Sequence, residues 1–195
     1  MSRDMIYIYL DFDGVLNNQS NVEIENLFHW DQDHASHFLQ SGEDISASVY
    51  HAIHKLSIAN ILQFRRALHV LEDMKPQIVI TSSWRRSLTF EQMKILFDKI
   101  GIEPLWLHSF TGESSKSLKL SFLDRRAFEI REHMSYHGLK LSKVAILDDM
   151  RLFDLCEPEL ERFVHVSSLT GFDAHSVHAL IQMFKPGWSM KYADS

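Results

Sequence analysis

The sequence predicts an α/β fold, a five-stranded parallel sheet with helices on both faces. Short apolar runs alternate along the chain with longer segments of helical periodicity, the order that builds parallel sheets. The residues able to do chemistry gather where such sheets do theirs, at the carboxyl ends of the strands. They are Asp11 and Asp13, the hydroxyls of Thr81, Ser82 and Ser83, and Asp148 with Asp149. A chain of 195 residues, 45% apolar and 24% charged, is ordinary for a globular protein and long enough for one compact domain with a small insertion.

The first strand is expected over residues 5–10. Residues 17–49 are polar, rich in His, Asp, Asn and Ser, and weakly periodic. A long loop or a small helical lid fits them, so the single domain 1–195 is expected to carry a small cap or loop insertion at about 17–57. A helix follows over 57–73, because Ile58, Ile61, Leu68 and Leu71 share one face with Leu62 beside it. Pro76 breaks the chain, and the buried-type strand 77–80 ends in Thr81-Ser82-Ser83-Trp84-Arg85. Thr89-Phe90-Glu91-Gln92 reads as a capping box opening a helix with Met93, Phe97 and Ile100 inward and Gly101 as its stop. A third strand is expected over 103–107, then a Ser/Gly/Lys loop over 111–119. Ser121 with Asp124 starts a helix whose stripe is Leu123, Ala127, Ile130 and Met134, and Gly138 ends it. Strands are expected over 143–147 and 163–166. Asp173 caps the last helix, with Val177, Leu180, Ile181 and Phe184 on its buried face.

An apolar strand that ends in Asp11-Phe12-Asp13-Gly14 has little structural reason to do so. Two neighbouring anions raise each other's proton affinity unless a cation or a proton lies between them. The set matches what hydrolysis of a phosphate monoester needs. Asp11 can attack phosphorus, and Asp13 can protonate the leaving oxygen and then activate water. Thr81 with Ser82, and a cation from Lys116 or Arg126, can hold the other phosphoryl oxygens. Asp148 and Asp149 can help hold the metal that offsets the repulsion between carboxylate and phosphate, and hard oxygen ligands point to Mg²⁺.

Asp11-Phe12-Asp13-Gly14-Val15-Leu16, Ile80-Thr81-Ser82-Ser83-Trp84-Arg85, Arg126-Ala127-Phe128-Glu129-Ile130 and Ile146-Leu147-Asp148-Asp149 resemble the four ordered motifs of the haloacid dehalogenase (HAD) superfamily. Ser-Ser-Trp-Arg, the Arg-x-x-Glu-Ile helix and Thr170-Gly171-Phe172 are similar to HAD domains associated with RNA-repair proteins and related small phosphatases. The resemblance implies a Rossmann-like HAD fold with a small or absent cap. It implies a Mg²⁺-dependent phosphatase that works through an aspartyl-phosphate on Asp11. Asp13 would be the acid/base, with its backbone carbonyl on the metal, and Thr81 would bind the phosphoryl group. Asp148 would be a metal ligand, with Asp149 direct or through water. A Lys usually fills the third motif; Lys116 and Arg126 are both candidates, and Arg126 is favoured because it opens the helix that feeds the fourth strand.

The implied partner is a phosphorylated substrate, a small molecule or a nucleic-acid end. A polynucleotide end-phosphatase or nucleotidase is one rival, which a basic strip of Arg85, Arg86, Lys116, Arg125 and Arg126 would support. A binding or regulatory protein that has lost turnover is another. A net charge of −6 does not favour non-specific binding to nucleic acid or to an anionic membrane. No apolar run approaches the roughly 20 residues of a membrane span, and the start of the chain lacks a signal pattern. Cys156 is the single cysteine, so no disulfide-linked partner is expected and a cytoplasmic setting is the default.

Blander readings compete. Asp11 and Asp13 suit a calcium or turn site, Thr81 to Ser83 a cap, and Asp148-Asp149 a turn. Trp84 suits packing better than substrate stacking. Arg85 and Arg86 suit either a second anionic group of the substrate or a solvated surface. His34 with His37, and His51 with His54, have a spacing zinc could use, but lack partners and read as surface. Phe28, Trp30 and Phe38 suit small-core packing or a lid, and Cys156 a buried thiol.

Overall fold

A computed structural model describes residues 5–18, 46–112, 116–150 and 157–189. Phe28, Trp30, His34, His37, Phe38 and Cys156, and the side chain of Leu123, lie outside the described residues. Five strands form one parallel sheet: β1 (Ile6–Leu10), β2 (Pro76–Ile80), β3 (Leu107–Phe110), β4 (Val144–Asp148) and β5 (Phe163–His165). Their order, β3-β2-β1-β4-β5, is the Rossmann-like arrangement expected. It places β1 at the centre, where the winding reverses and a crevice opens beyond the strand ends.

Alternation along the strands builds two cores. Ile6, Ile8 and Leu10 of β1, Ile78 and Ile80 of β2, and Ala145 and Leu147 of β4 face one side. There they meet α1 (Ala47–Lys55), α2 (Ile58–Val70), α3 (Phe90–Lys99) and α6 (Ala174–Phe184), which supply Val49, Phe64, Phe97 and Leu180 among others. Tyr7, Tyr9, Val79, Val144 and Ile146 face the other side and pack on Ala127 and Ile130 of α4 (Phe122–His137). A short helix, α5 (Glu157–Leu160), precedes β5.

Local signals set the helix starts. Ser57, Ser121 and Asp173 each accept a backbone N–H of the first turn, and Thr89 with Gln92 closes a full capping box. Several elements differ from expectation. The helix expected to reach Asp73 ends at Val70, with Leu62 exposed, and Pro76, expected to break the chain, is the first residue of β2, opposite Ile6. The third strand is displaced to Leu107–Phe110, because Glu103 caps a tight 3₁₀ turn, Pro104–Trp106. Pro104 has no N–H to give to a ladder, so pairing with β2 begins only at Leu107 opposite Ile78. The helix α1 lies inside the polar insertion, yet Val49, Ala52 and Ile53 belong to the main core. The chain returns beside its point of departure, Ser57 N–H donating to the Leu16 carbonyl at 2.9 Å.

The face under α4 carries a polar seam. The Tyr9 hydroxyl bonds His133 Nδ1 at 2.8 Å, and Ser109 Oγ bonds both His133 Nε2 and His108 Nδ1 at 2.7 Å. Burial, then the neighbouring His137 and His108, pushes His133 down to about 4. Between about pH 6.5 and 4 the unfolded chain therefore takes up a proton at this position that the folded chain refuses. Stability is present above that window and is lost as pH falls through it, by about 1–2 kcal/mol once solvent screening is allowed for. His133→Gln should flatten this acid limb in urea denaturation at a series of pH values. An unchanged limb would assign it elsewhere.

Candidate active site

Each strand of the rim hands its neighbour one more hydrogen bond beyond its own end. Asp11 N–H donates to the Leu147 carbonyl, Thr81 N–H to Leu10 and Thr111 N–H to Ile80, each at 3.0 Å. The ladder thus places Asp11 between Thr81 and Asp148 at the centre of the crevice.

Asp11, Asp148 and Asp149 each bring a carboxylate oxygen within 4.8 Å of the others. Asp11 and Asp148 are buried and Asp149 half-buried. Asp11 Oδ1 accepts Phe12 N–H and Asp148 Oδ1 accepts Met150 N–H, both at 2.9 Å. Arg126, reaching in from the second turn of α4, donates through one nitrogen to Asp11 Oδ2 and, at 2.6 Å, to Asp148 Oδ2. Burial alone would push its guanidinium down, but the charges of Asp11 and Asp148 outweigh that and hold it protonated. Burial pushes the Asp148 carboxyl up; Arg126 draws it back and Asp11 raises it further. Asp149 is also raised, first by burial and then by Asp11. Three carboxylates against one guanidinium leave an excess of two negative charges when all are ionised. That donor set, all hard oxygen, fits a divalent cation of the Mg²⁺ class.

Gly14 is required by this packing. Its φ is +76°, and a Cβ built on it would lie 2.2 Å from Asp149 Oδ2. Gly14→Ala should cost about 1–3 kcal/mol of stability in urea denaturation and should weaken divalent binding, because Asp149 must move. An alanine variant of native stability would sink this account.

Asp13 is exposed and its side chain stands outside the three-carboxylate group. Its Oδ1 accepts from Trp84 Nε1 and Asn17 Nδ2, each at 3.0 Å, and Ser83 Oγ lies 3.4 Å from Oδ2. Thr81 is buried, and its hydroxyl oxygen has no hydrogen-bond partner among the described residues. Ser82, also buried, spends its hydroxyl on Trp84 N–H at 3.4 Å, capping the turn Ser83–Arg86. Lys116 is exposed in the turn before Ser117–Lys119, whereas Arg126 is buried at the carboxylates.

Sequence reasoning placed Glu129 in a motif without giving it a role, and missed the true setting of Arg85. Arg85 is neither solvated nor aimed outward. It donates to Glu129 at 2.6 Å in a buried pair, and to the carbonyls of Thr81 and Ser82. Glu129 lies three residues after Arg126 on α4, so one helix face orients both the Thr81 turn and Asp11. Two charged residues at that spacing beside an apolar stripe were the available signal. The late turn Thr170-Gly171-Phe172 is a clasp for the loop after β1, Phe172 N–H donating to Val15 at 2.7 Å and Asn18 Nδ2 to Thr170 at 3.1 Å. Beside the carboxylates a small pocket is lined by Thr81, Ser83, Arg85, Arg86, Arg125, Arg126 and Glu129. Among the described residues no helix is long and apolar enough to cross a membrane.

A family model described as the HAD domain in Swiss Army Knife RNA repair proteins matches residues 7–177. No curated protein and no solved structure matches the chain. The match runs from β1 into α6 and takes in the crevice with all four of its aspartates, so this chain belongs to that HAD family.

Proposed function

We propose that the protein is a Mg²⁺-dependent phosphohydrolase that cleaves phosphate monoesters through an aspartyl-phosphate on Asp11. One observation carries this reading: at the switch point of the sheet, Asp11 stands between two further carboxylates and a buried Thr81 hydroxyl that has no partner among the described residues. Such a hydroxyl is costly unless a ligand completes it. Asp11 attacks phosphorus, and Asp13 gives a proton to the leaving oxygen and later takes one from water. Thr81 and Ser82 hold phosphoryl oxygens, and Arg126, with its charge already at Asp11, fills the third motif; Lys116 remains available from its loop. Asp148 and Asp149, with Asp11 and the Asp13 carbonyl, would hold Mg²⁺. A bound divalent ion supplies the positive charge that lets a carboxylate approach a dianionic phosphate. Membership of the HAD family supports hydrolase chemistry, and a cytoplasmic setting suits a chain with one cysteine.

The arginine-lined pocket beside Thr81 favours a second reading of the substrate, a phosphorylated nucleic-acid end, since Arg86 and Arg125 add positive charge next to the reacting group. The deciding assay is phosphate release from p-nitrophenyl phosphate with Mg²⁺ and with a chelator, followed by 3′- and 5′-phosphorylated oligonucleotides. Release only with the metal is expected. Release that ignores the chelator would sink the metal-dependent mechanism, and no release from any of these substrates would sink the enzyme reading.

A further inference from the structure

We infer that Trp84 is a positioning residue for Asp13: its indole N–H, together with the Asn17 amide, occupies Asp13 Oδ1 and leaves Oδ2 as the oxygen that exchanges the proton with the leaving group. This rests on the reading of Asp13 as acid/base.

Three observations support it. The indole is held flat on Phe12, with ring centroids 4.8 Å apart and planes 14° from parallel, so the direction of its N–H is set by packing. Phe12 in turn is wholly buried between Asp11 and Asp13 in sequence. The Asn17 side chain cannot be turned the other way, because its Oδ1 accepts Gly14 N–H at 2.6 Å and its Nδ2 must then face Asp13. Two N–H donors at 3.0 Å therefore converge on Oδ1, while among the described residues Oδ2 accepts from the Ser83 hydroxyl alone, at 3.4 Å. An oxygen that already accepts two N–H groups has no place for a proton. The carboxylic acid carries its proton on Oδ2, the oxygen left to face the reaction.

The step balances as follows. An Asp11 oxygen forms a bond to phosphorus, and the ester P–O bond breaks with its electron pair going to the leaving oxygen. Asp13 Oδ2–H gives its proton to that oxygen, and the alcohol departs. Asp13, now a carboxylate, takes a proton from water through the same oxygen as the water oxygen bonds to phosphorus. The P–O bond to Asp11 breaks with its pair returning to the carboxylate, and inorganic phosphate leaves.

The test compares two substrates of similar shape. Benzyl phosphate has a strongly basic leaving group that needs the proton; p-nitrophenyl phosphate has a weakly basic one that departs without it. Trp84→Phe keeps a ring on Phe12 and removes the N–H. Its kcat should fall roughly tenfold for benzyl phosphate and less than about twofold for p-nitrophenyl phosphate. The ratio of the two rates does not depend on how much of the variant is folded. Benzothienylalanine at position 84, an indole isostere without the N–H, should give the same ratio with native packing. Asp13→Asn must show the same selectivity more strongly. If Asp13→Asn shows it and both position-84 variants leave the ratio at the wild-type value, Trp84 only packs, and the inference is overturned while the acid/base reading survives. If Asp13→Asn lowers both rates alike, or wild type turns over neither substrate, the reading beneath it fails and takes this inference with it.

Discussion

Asp11→Asn is expected to lower Mg²⁺-dependent phosphate release by roughly 10³-fold or more, with little change in stability. The loss follows from chemistry, since an amide cannot make the aspartyl-phosphate. The near-neutral stability follows from the charges around it. Asp11 pairs with Arg126, but it also raises both Asp148 and Asp149 by repulsion. Removing its charge gives up one ion-pair partner and relieves two repulsions, and Arg126 keeps Asp148 at 2.6 Å. Phosphate release and urea denaturation on the same preparation separate the two effects. Residual activity within tenfold of wild type would remove Asp11 as the nucleophile.

Arg126→Met should instead act on both. The guanidinium is buried and lies between Asp11 and Asp148; without it, three carboxylates face one another and lose the cation that pairs two of them. Breaking a buried pair by removing one partner typically costs about 3–5 kcal/mol, and that loss is expected at neutral pH in chelator. Part of it should return on adding Mg²⁺, because a divalent ion supplies charge to the same oxygens. It should also shrink as pH falls, because the carboxylates can then take protons. Activity should drop by about 10²-fold even with saturating metal, since a charge facing the phosphoryl group is gone. Urea titrations with and without Mg²⁺ check the first claim. A variant as stable as wild type in chelator, or one indifferent to the metal, would show that Arg126 does not balance these carboxylates. Lys116→Met, by contrast, changes an exposed side chain and should leave stability within about 0.5 kcal/mol of wild type.

The sequence by itself determined the elements and the chemistry of their ends. Strands 1, 2, 4 and 5 and the helices that begin at Ser57, Thr89, Ser121 and Asp173 were legible, because alternation, 3.6-residue periodicity and capping act over a few neighbouring residues. The aspartates and hydroxyls were legible because nothing in a strand or turn explains them. Tertiary structure decided everything that joins distant segments. The strand order sets Asp11 beside Thr81 and Asp148, and no local signal specifies that order. Arg126 rather than Lys116 lies at the carboxylates because α4 packs on Tyr9 and Ile146 and carries the guanidinium there. Arg85 turns inward to Glu129, Trp84 reaches Asp13, and His133 lies between Tyr9 and Ser109, each across 24 residues or more. Helix Ala47–Lys55 looked like part of a polar insertion because only three of its residues, Val49, Ala52 and Ile53, are buried. The physical reason is common to all of these. A local pattern states what a residue prefers beside its neighbours, whereas a site is made of charges and hydroxyls whose partners arrive only when the sheet is assembled.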